Sequence, residues 1–212
     1  MDKKLIESLQ KRYATQKFDP NKLVSDKELN VLLEAIRLTP SSYGLQFIKA
    51  VVVTNKQKKD QLVEASYHQN QVSEASHVLI LCRELHVSEE SIDSYINTIS
   101  QIRKVSLESL EGYKKSITRT VSSKSNEEME IWINKQIYII LGNLINSCAL
   151  LNIDSCPMEG FNVSEYDRIL KLSQLNLTSV LVIPIGYRSE DDKYAKIEKV
   201  RKPIDEFVIY MD

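Results

Sequence analysis

The apolar positions Leu29, Leu32, Leu33 and Ile36 repeat at the spacing of one helical face, and the segment before them is built to start a helix. In Ser25-Asp26-Lys27-Glu28 the Ser25 hydroxyl and the Glu28 carboxylate can each satisfy a free backbone N–H, with Val24 and Leu29 placed as a staple. Pro40 marks where this helix has ended, and Ser41-Ser42-Tyr43-Gly44 reads as a turn. The pattern changes at Ile48–Thr54 and again at His77–Arg83, where Val, Ile and Leu run together without helical spacing between polar ends, as buried strands do. Ser179–Tyr187 predicts a third strand, its later half at an edge or a bulge because Pro184 has no N–H for a ladder. Phe207–Tyr210 is a candidate fourth strand, too isolated to stand without a partner.

The stretches between strands read as helical, including Ser88–Val105, Glu108–Thr118 and the long Asn126–Leu151. Helices before, between and after a few strands indicate an α+β or α/β sandwich around one sheet. Ile137–Leu151 is apolar on all sides, so it either lies at the centre of a large core or packs against another subunit. It is shorter than the roughly 20 residues that span a bilayer and contains Asn143 and Asn146, which predicts a buried helix and no membrane partner.

Length and charge narrow the picture. At 212 residues, 1–212 are expected to form a single domain with its own core. Lys and Arg number 28 against 29 Asp and Glu, with a pI near 6.3, so no overall field recruits nucleic acid. Cys82, Cys148 and Cys156 have no Cys-x-x-Cys spacing, and the start Met1-Asp2-Lys3-Lys4-Leu5 has no apolar signal core; both predict a cytoplasmic protein without disulfides. His68, His77 and His86 stand beside no second ligand at metal spacing, so no metal is expected. Isolated glycines exclude Gly-x-Gly-x-x-Gly and P-loop cradles, and Gly-x-Ser-x-Gly is absent. A bound phosphate would then have to be met by side chains, and the candidates are Arg12, Lys199 and Arg201. The turn Pro157-Met158-Glu159-Gly160 after the long helix could set bare N–H groups against a flat ligand.

In chain order, Arg12-Tyr13-Ala14, Thr39-Pro40-Ser41-Ser42-Tyr43-Gly44-Leu45-Gln46, Glu74-Ala75-Ser76-His77, Trp132-x-x-Lys135-Gln136-x-Tyr138, Gly142-Asn143, Pro157-Met158-Glu159-Gly160 and Lys199-x-Arg201-x-Pro203 resemble the landmarks of the FMN-dependent nitroreductase family, nearly end to end. The resemblance is to the branch of oxygen-insensitive NAD(P)H nitroreductases and dihydropteridine reductases. It implies an α+β sandwich: a central mixed or antiparallel sheet flanked by helices, in an intertwined homodimer with C-terminal strand exchange and FMN at the interface. Ile137–Leu151 would then supply dimer contact, and Phe207–Tyr210 would join the partner's sheet.

Carried onto this chain, the resemblance implies that Arg12, Lys199 and Arg201 hold the FMN phosphate and pyrimidine edge, with Tyr13 and Ala14 contributing through backbone. Pro157, Met158, Glu159 and Gly160 would pass along the flavin, the Glu159 and Gly160 amides facing its N5 and O4 side. Pro40, Ser41, Ser42 and Gly44 would approach the partner's FMN; Gln71 would meet the polar edge, and Tyr138 is a further contact. Ala14 stands where Ser is usual, Gln16 where Lys often binds flavin, His68 where Asn is common and Phe47 where Pro follows Gln46; charge near the ring tunes its electronics. The implied reaction alternates: NAD(P)H reduces the flavin and leaves, then a small-molecule acceptor such as a nitroaromatic or quinone takes the electrons. No side chain acts as acid or base. The competing readings are a non-catalytic flavin-binding protein and a flavin or pteridine reductase of the same fold.

Overall fold

The computed structural model describes residues 2–211; Met1, which opens the segment read above for a signal, and Asp212 lie outside them. The elements run α1 (Asp2–Lys11), α2 (Asp26–Arg37), β1 (Ile48–Val53), α3 (Lys56–Ala65), α4 (Gln71–Glu74), β2 (His77–Glu84), α5 (Glu89–Arg103), α6 (Glu111–Ser122), α7 (Asn126–Leu150), β3 (Asp154–Ser155), α8 (Val163–Leu170), β4 (Leu177–Gly186) and α9 (Ile204–Phe207). The strands form one sheet in the order β1-β2-β4-β3, every neighbouring pair antiparallel. A single parallel bridge, Ala14 to Ser155, is the one mixed feature among the described residues.

Strand β2 explains the layering. Successive side chains point to opposite faces, and both faces are covered. Val78, Ile80 and Cys82 pack with Leu62 of α3, Tyr166 of α8 and Phe18. Leu79 and Leu81 pack with Leu32 and Ile36 of α2 and with Ile137, Leu144 and Cys148 of α7. A third cluster, around Leu45, Phe47, Ile96, Ile117 and Ile133, seats α5 and α6 beside the sheet. The capping box at α2 forms as its residues require: the Ser25 hydroxyl and amide donate to Glu28 at 2.6 and 2.9 Å, and the Glu28 amide donates back at 3.3 Å.

Helix α7 buries Ile137, Leu144 and Cys148 but leaves Ile139 and Leu150 exposed, so a fully internal helix is not what this chain builds. Asn143 breaks the apolar run for a reason: its Nδ2 donates to Ala35 O and Thr39 Oγ1, both at 2.8 Å, tying α7 to the end of α2.

One expectation needs correction. Pro184 lies in β4, which is internal, and the ladder shifts elsewhere, between Leu81 and Cys82. It is tolerated because its carbonyl accepts from Cys156 N at 3.0 Å, so its missing N–H faces the short, broken β3. Phe207–Tyr210, expected to stand as a strand only with a partner, forms no ladder among the described residues of a single chain. The Phe207 and Val208 amides close α9, donating to Pro203 O at 3.1 Å and Ile204 O at 2.9 Å. β3, α1, α3 and α8 carry no pattern singled out above: β3 has two residues, and the helices alternate short apolar and charged positions.

Ser25→Ala should lower stability by about 1 kcal/mol at neutral pH, read from urea unfolding. Hydrogen bonds from Ser25 hold the Glu28 carboxyl below its ordinary value. This contribution is therefore present above the ordinary glutamate range and disappears as pH falls through the depressed value. The gap between wild type and variant should narrow on acidification.

Candidate functional site

After α1 the chain runs as an extended arm beside β3. Thr15 is buried and its amide donates to Ser155 O at 3.3 Å, while Ala14 and Gln16 on either side are exposed. Tyr13 lies under the Arg188 guanidinium, 4.5 Å from its ring centre, and Arg188 is itself paired with Asp154. The Tyr13 hydroxyl donates to Asp192 at 2.9 Å, and burial with that bond pushes its pKa up to about 12.

Three cations meet where α1 ends. Lys199 Nζ donates to Leu9 O at 2.6 Å and to Arg12 O, which caps the carbonyl end of α1. Arg12 is half-buried, and its Nε is buried with no acceptor. Burial and then the neighbouring Arg201 lower the Arg12 pKa; burial, Arg12 and Arg201 lower that of Lys199. Arg201 turns an N–H back to Val200 O at 2.6 Å. Among the described residues no carboxylate lies within ion-pair distance of any of the three. A cation cluster held together without counter-charge is suited to a dianion such as phosphate.

The Pro157–Gly160 turn continues the β3 edge. Met158 is buried and exchanges both backbone bonds with Val182, at 2.8 and 3.1 Å. The turn then leaves the sheet, and among the described residues the Glu159 and Gly160 amides donate to nothing. Tyr138 of α7 donates to the Glu159 carboxylate; that bond, then burial, pushes the phenol up to about 12. Behind the turn runs a polar chain. Gln69 Nε2 donates to Gly160 O at 2.8 Å, Gln71 Nε2 donates to Gln69 Oε1 at 3.0 Å, and Gln16 Nε2 reaches Cys156 Sγ at 3.7 Å. Burial pushes the Cys156 thiol up to about 11, which keeps it protonated and inert. His68, exposed at φ 61, shapes the bend that presents Gln69, and its ring has no hydrogen bond among the described residues.

Pro40, Ser41, Ser42 and Gly44 form a separate group. Ser42 N donates to Gln136 Oε1 of α7 at 2.9 Å, and Ser41 Oγ is buried without a partner. Tyr43 takes φ 55, and its carbonyl accepts from the hydroxyls of Tyr95 and Tyr113, each at 2.8 Å. Gly44 at φ 70 must be glycine, since a Cβ there would collide with the Tyr95 hydroxyl. A pocket of about 290 Å³ beside this turn is lined by Leu33, Ile36, Thr39, Ser41, Ile48 and Ile140. Among the described residues no hydrogen bond joins this group to the cations or to Pro157–Gly160. Among the described residues no cluster of His, Cys, Asp or Glu could hold a metal, and no helix is long and apolar enough to cross a membrane.

The chain as a whole is similar to a known class. The sequence profile of the nitroreductase family matches residues 9–187. Candidate NAD(P)H nitroreductases of Staphylococcus saprophyticus and Bacillus subtilis are each 32% identical, covering 100% and 96% of this chain and 99% and 96% of their own. A solved candidate nitroreductase of Bacillus subtilis superposes with a TM-score of 0.88 at 21% identity, over 100% of both chains. One from Exiguobacterium sibiricum, solved in complex with FMN, gives 0.82 at 19% identity, over 98% of this chain and 97% of its own. The fold is that of the nitroreductases, and the chain belongs to the nitroreductase family.

Asp192, Arg188, Gln69, Tyr95 and Tyr113 carry much of this geometry and have no motif of their own. Asp192 follows Glu190-Asp191 and looks like part of a solvated acidic run; only the fold buries it.

Phosphate alone should stabilise the flavin-free protein against a chloride control of equal ionic strength. A gain of about 1 kcal/mol would move Tm by roughly 2–4 °C for a chain this size. Lys199→Ala with Arg201→Ala should remove most of that rise in a thermal melt.

Proposed function

We propose that residues 1–212 act as one FMN-binding domain of a cytoplasmic, homodimeric NAD(P)H oxidoreductase that reduces nitroaromatics, quinones or related small acceptors. The observation that carries this reading is the pairing of an uncompensated cation cluster with two amides that have no acceptor among the described residues. The arm from Arg12 to Gln16 leads from the cations to Cys156, the residue before the turn, and would follow a ribityl chain between phosphate and ring. Gly160 supports it independently. Its φ is not left-handed, and a Cβ there would meet only Gln69 Nε2 at 3.6 Å, so nothing within the chain demands glycine and a close ligand would.

Bound FMN supplies the redox chemistry, taking a hydride from NAD(P)H and passing electrons to the acceptor. The chain's part is binding and electrostatics. Arg12, Lys199 and Arg201 would hold the phosphate, Tyr13 and Ala14 would follow the ribityl chain with their backbone, and Gln16 and Gln71 would border the ring. The Glu159 and Gly160 N–H groups would stabilise negative charge developing on an electron-accepting ring, as preorganised donors do. The Glu159 carboxylate is engaged by Tyr138, which supports a main-chain role and no acid–base step.

The dimer reading rests on what one chain leaves open. Pro40, Ser41, Ser42 and Gly44 lie apart from the other site residues, so they would complete the partner's site. The C-terminal segment exposes Phe207, Ile209 and Tyr210 at 75%, 82% and 85%, more apolar surface than a free tail tolerates, and this supports exchange onto the partner. Three buried free thiols suit a reducing compartment.

Purified protein should be yellow, and NADH or NADPH should bleach it anaerobically; reoxidation by a panel of nitro compounds, quinones and free flavin then identifies the acceptor. A colourless protein that ignores added FMN would overturn the assignment, and a yellow one that neither nucleotide bleaches would leave only flavin binding. Lys199→Ala with Arg201→Ala should abolish FMN retention on gel filtration.

A further inference from the structure

The two halves of the cation cluster are nearly the whole chain apart in sequence, Arg12 at one end and Lys199 and Arg201 at the other. One buried carboxylate joins them. Asp192, 3% exposed, accepts at Oδ2 from the Tyr13 hydroxyl at 2.9 Å, Gln16 N at 2.9 Å and Lys17 N at 3.1 Å. At Oδ1 it accepts from Tyr194 N at 3.0 Å, which starts the single helical turn Lys193–Lys196 leading to Lys199. Lys199 then reaches back to Leu9 O and Arg12 O and closes a ring of contacts: arm, Asp192, C-terminal segment, arm. Four donors on one buried carboxylate are more than a loop cap needs, and charge-assisted bonds of this kind fix backbone position. Asp192 forms no ion pair with the three cations, so it aligns them without neutralising them. Arg188, a charged group near it, is taken up by Asp154.

We propose that Asp192 is the positioning residue of the phosphate anchor, and that it sets the preference of this protein for a phosphorylated flavin over riboflavin. The inference rests on the FMN reading above. The amides of the Pro157–Gly160 turn are held by the Met158–Val182 pair and do not depend on Asp192. Of the groups that would border the ring, Gln16 alone is tied to Asp192, so loss of Asp192 should weaken the hold on phosphate more than the hold on the ring.

The test is the dissociation constant of FMN and of riboflavin, measured by flavin fluorescence on flavin-stripped wild type, Asp192→Asn and Tyr13→Phe. Asp192→Asn should lower the FMN-over-riboflavin preference by about tenfold or more, the scale of one charge-assisted contact, with riboflavin affinity falling by a much smaller factor than that of FMN. Tyr13→Phe removes one donor and leaves both arm amides on Asp192; it should lower the preference by a smaller factor, and it decides the matter if Asp192→Asn does not fold. A preference kept intact in both variants, or equal weakening of both flavins, would overturn the inference, because a merely structural role predicts the latter. Wild type that binds neither flavin would instead overturn the FMN reading itself.

Discussion

The reciprocal pair of backbone bonds between Met158 and Val182 is the constraint on which the site side of this molecule depends. β4 is internal, yet its outer side is only partly covered, because Pro184 offers no N–H and β3 is two residues long. That opening lets the chain leave the sheet at Glu159 while Met158 stays buried in it. The amides beyond Met158 are thereby presented from a rigid element without being consumed by it. The arm from Arg12 to Phe18 runs along the same side, through Ala14 to Ser155 and Phe18 to Arg188.

Electrostatics complete the arrangement by omission. Exposed cations in this protein commonly pair with a neighbour on their own helix, as Arg37 with Glu34 and Arg168 with Glu165 do. Such pairs add little to stability. Arg12, Lys199 and Arg201 have no such partner, and burial and mutual repulsion depress the pKa of Arg12 and Lys199. A fold that keeps cations together against their repulsion is strained electrostatically until an anion arrives, and that strain is returned as affinity in the proposed phosphate site.

Helix α7 separates the two halves of the proposed chemistry. Gln136 holds the Ser42 amide, and Tyr138, two positions on, holds Glu159. Residues two apart face away from each other on a helix, so one helix fixes both turns and keeps them apart. A second copy bringing its own serine turn would resolve this, and the apolar residues α7 leaves exposed suit the same contact.

Sequence by itself determined what is local. Ser25 and Glu28 are three apart and can satisfy each other in any context, so the start of α2 was legible; so were β1 and β2, whose apolar runs suit only a buried sheet. The residues proposed for the site, Arg12, Pro157–Gly160, Lys199 and Arg201, stand out as a set only through their order along the chain. Tertiary structure alone decided the rest, because it depends on groups distant in sequence coming together. Pro184 reads as an edge residue until β4 is seen beside a broken strand. Asp192 reads as one of three acids until four donors converge on it. Burial turns a solvated carboxylate into a structural one, and no local pattern records burial that distant segments create.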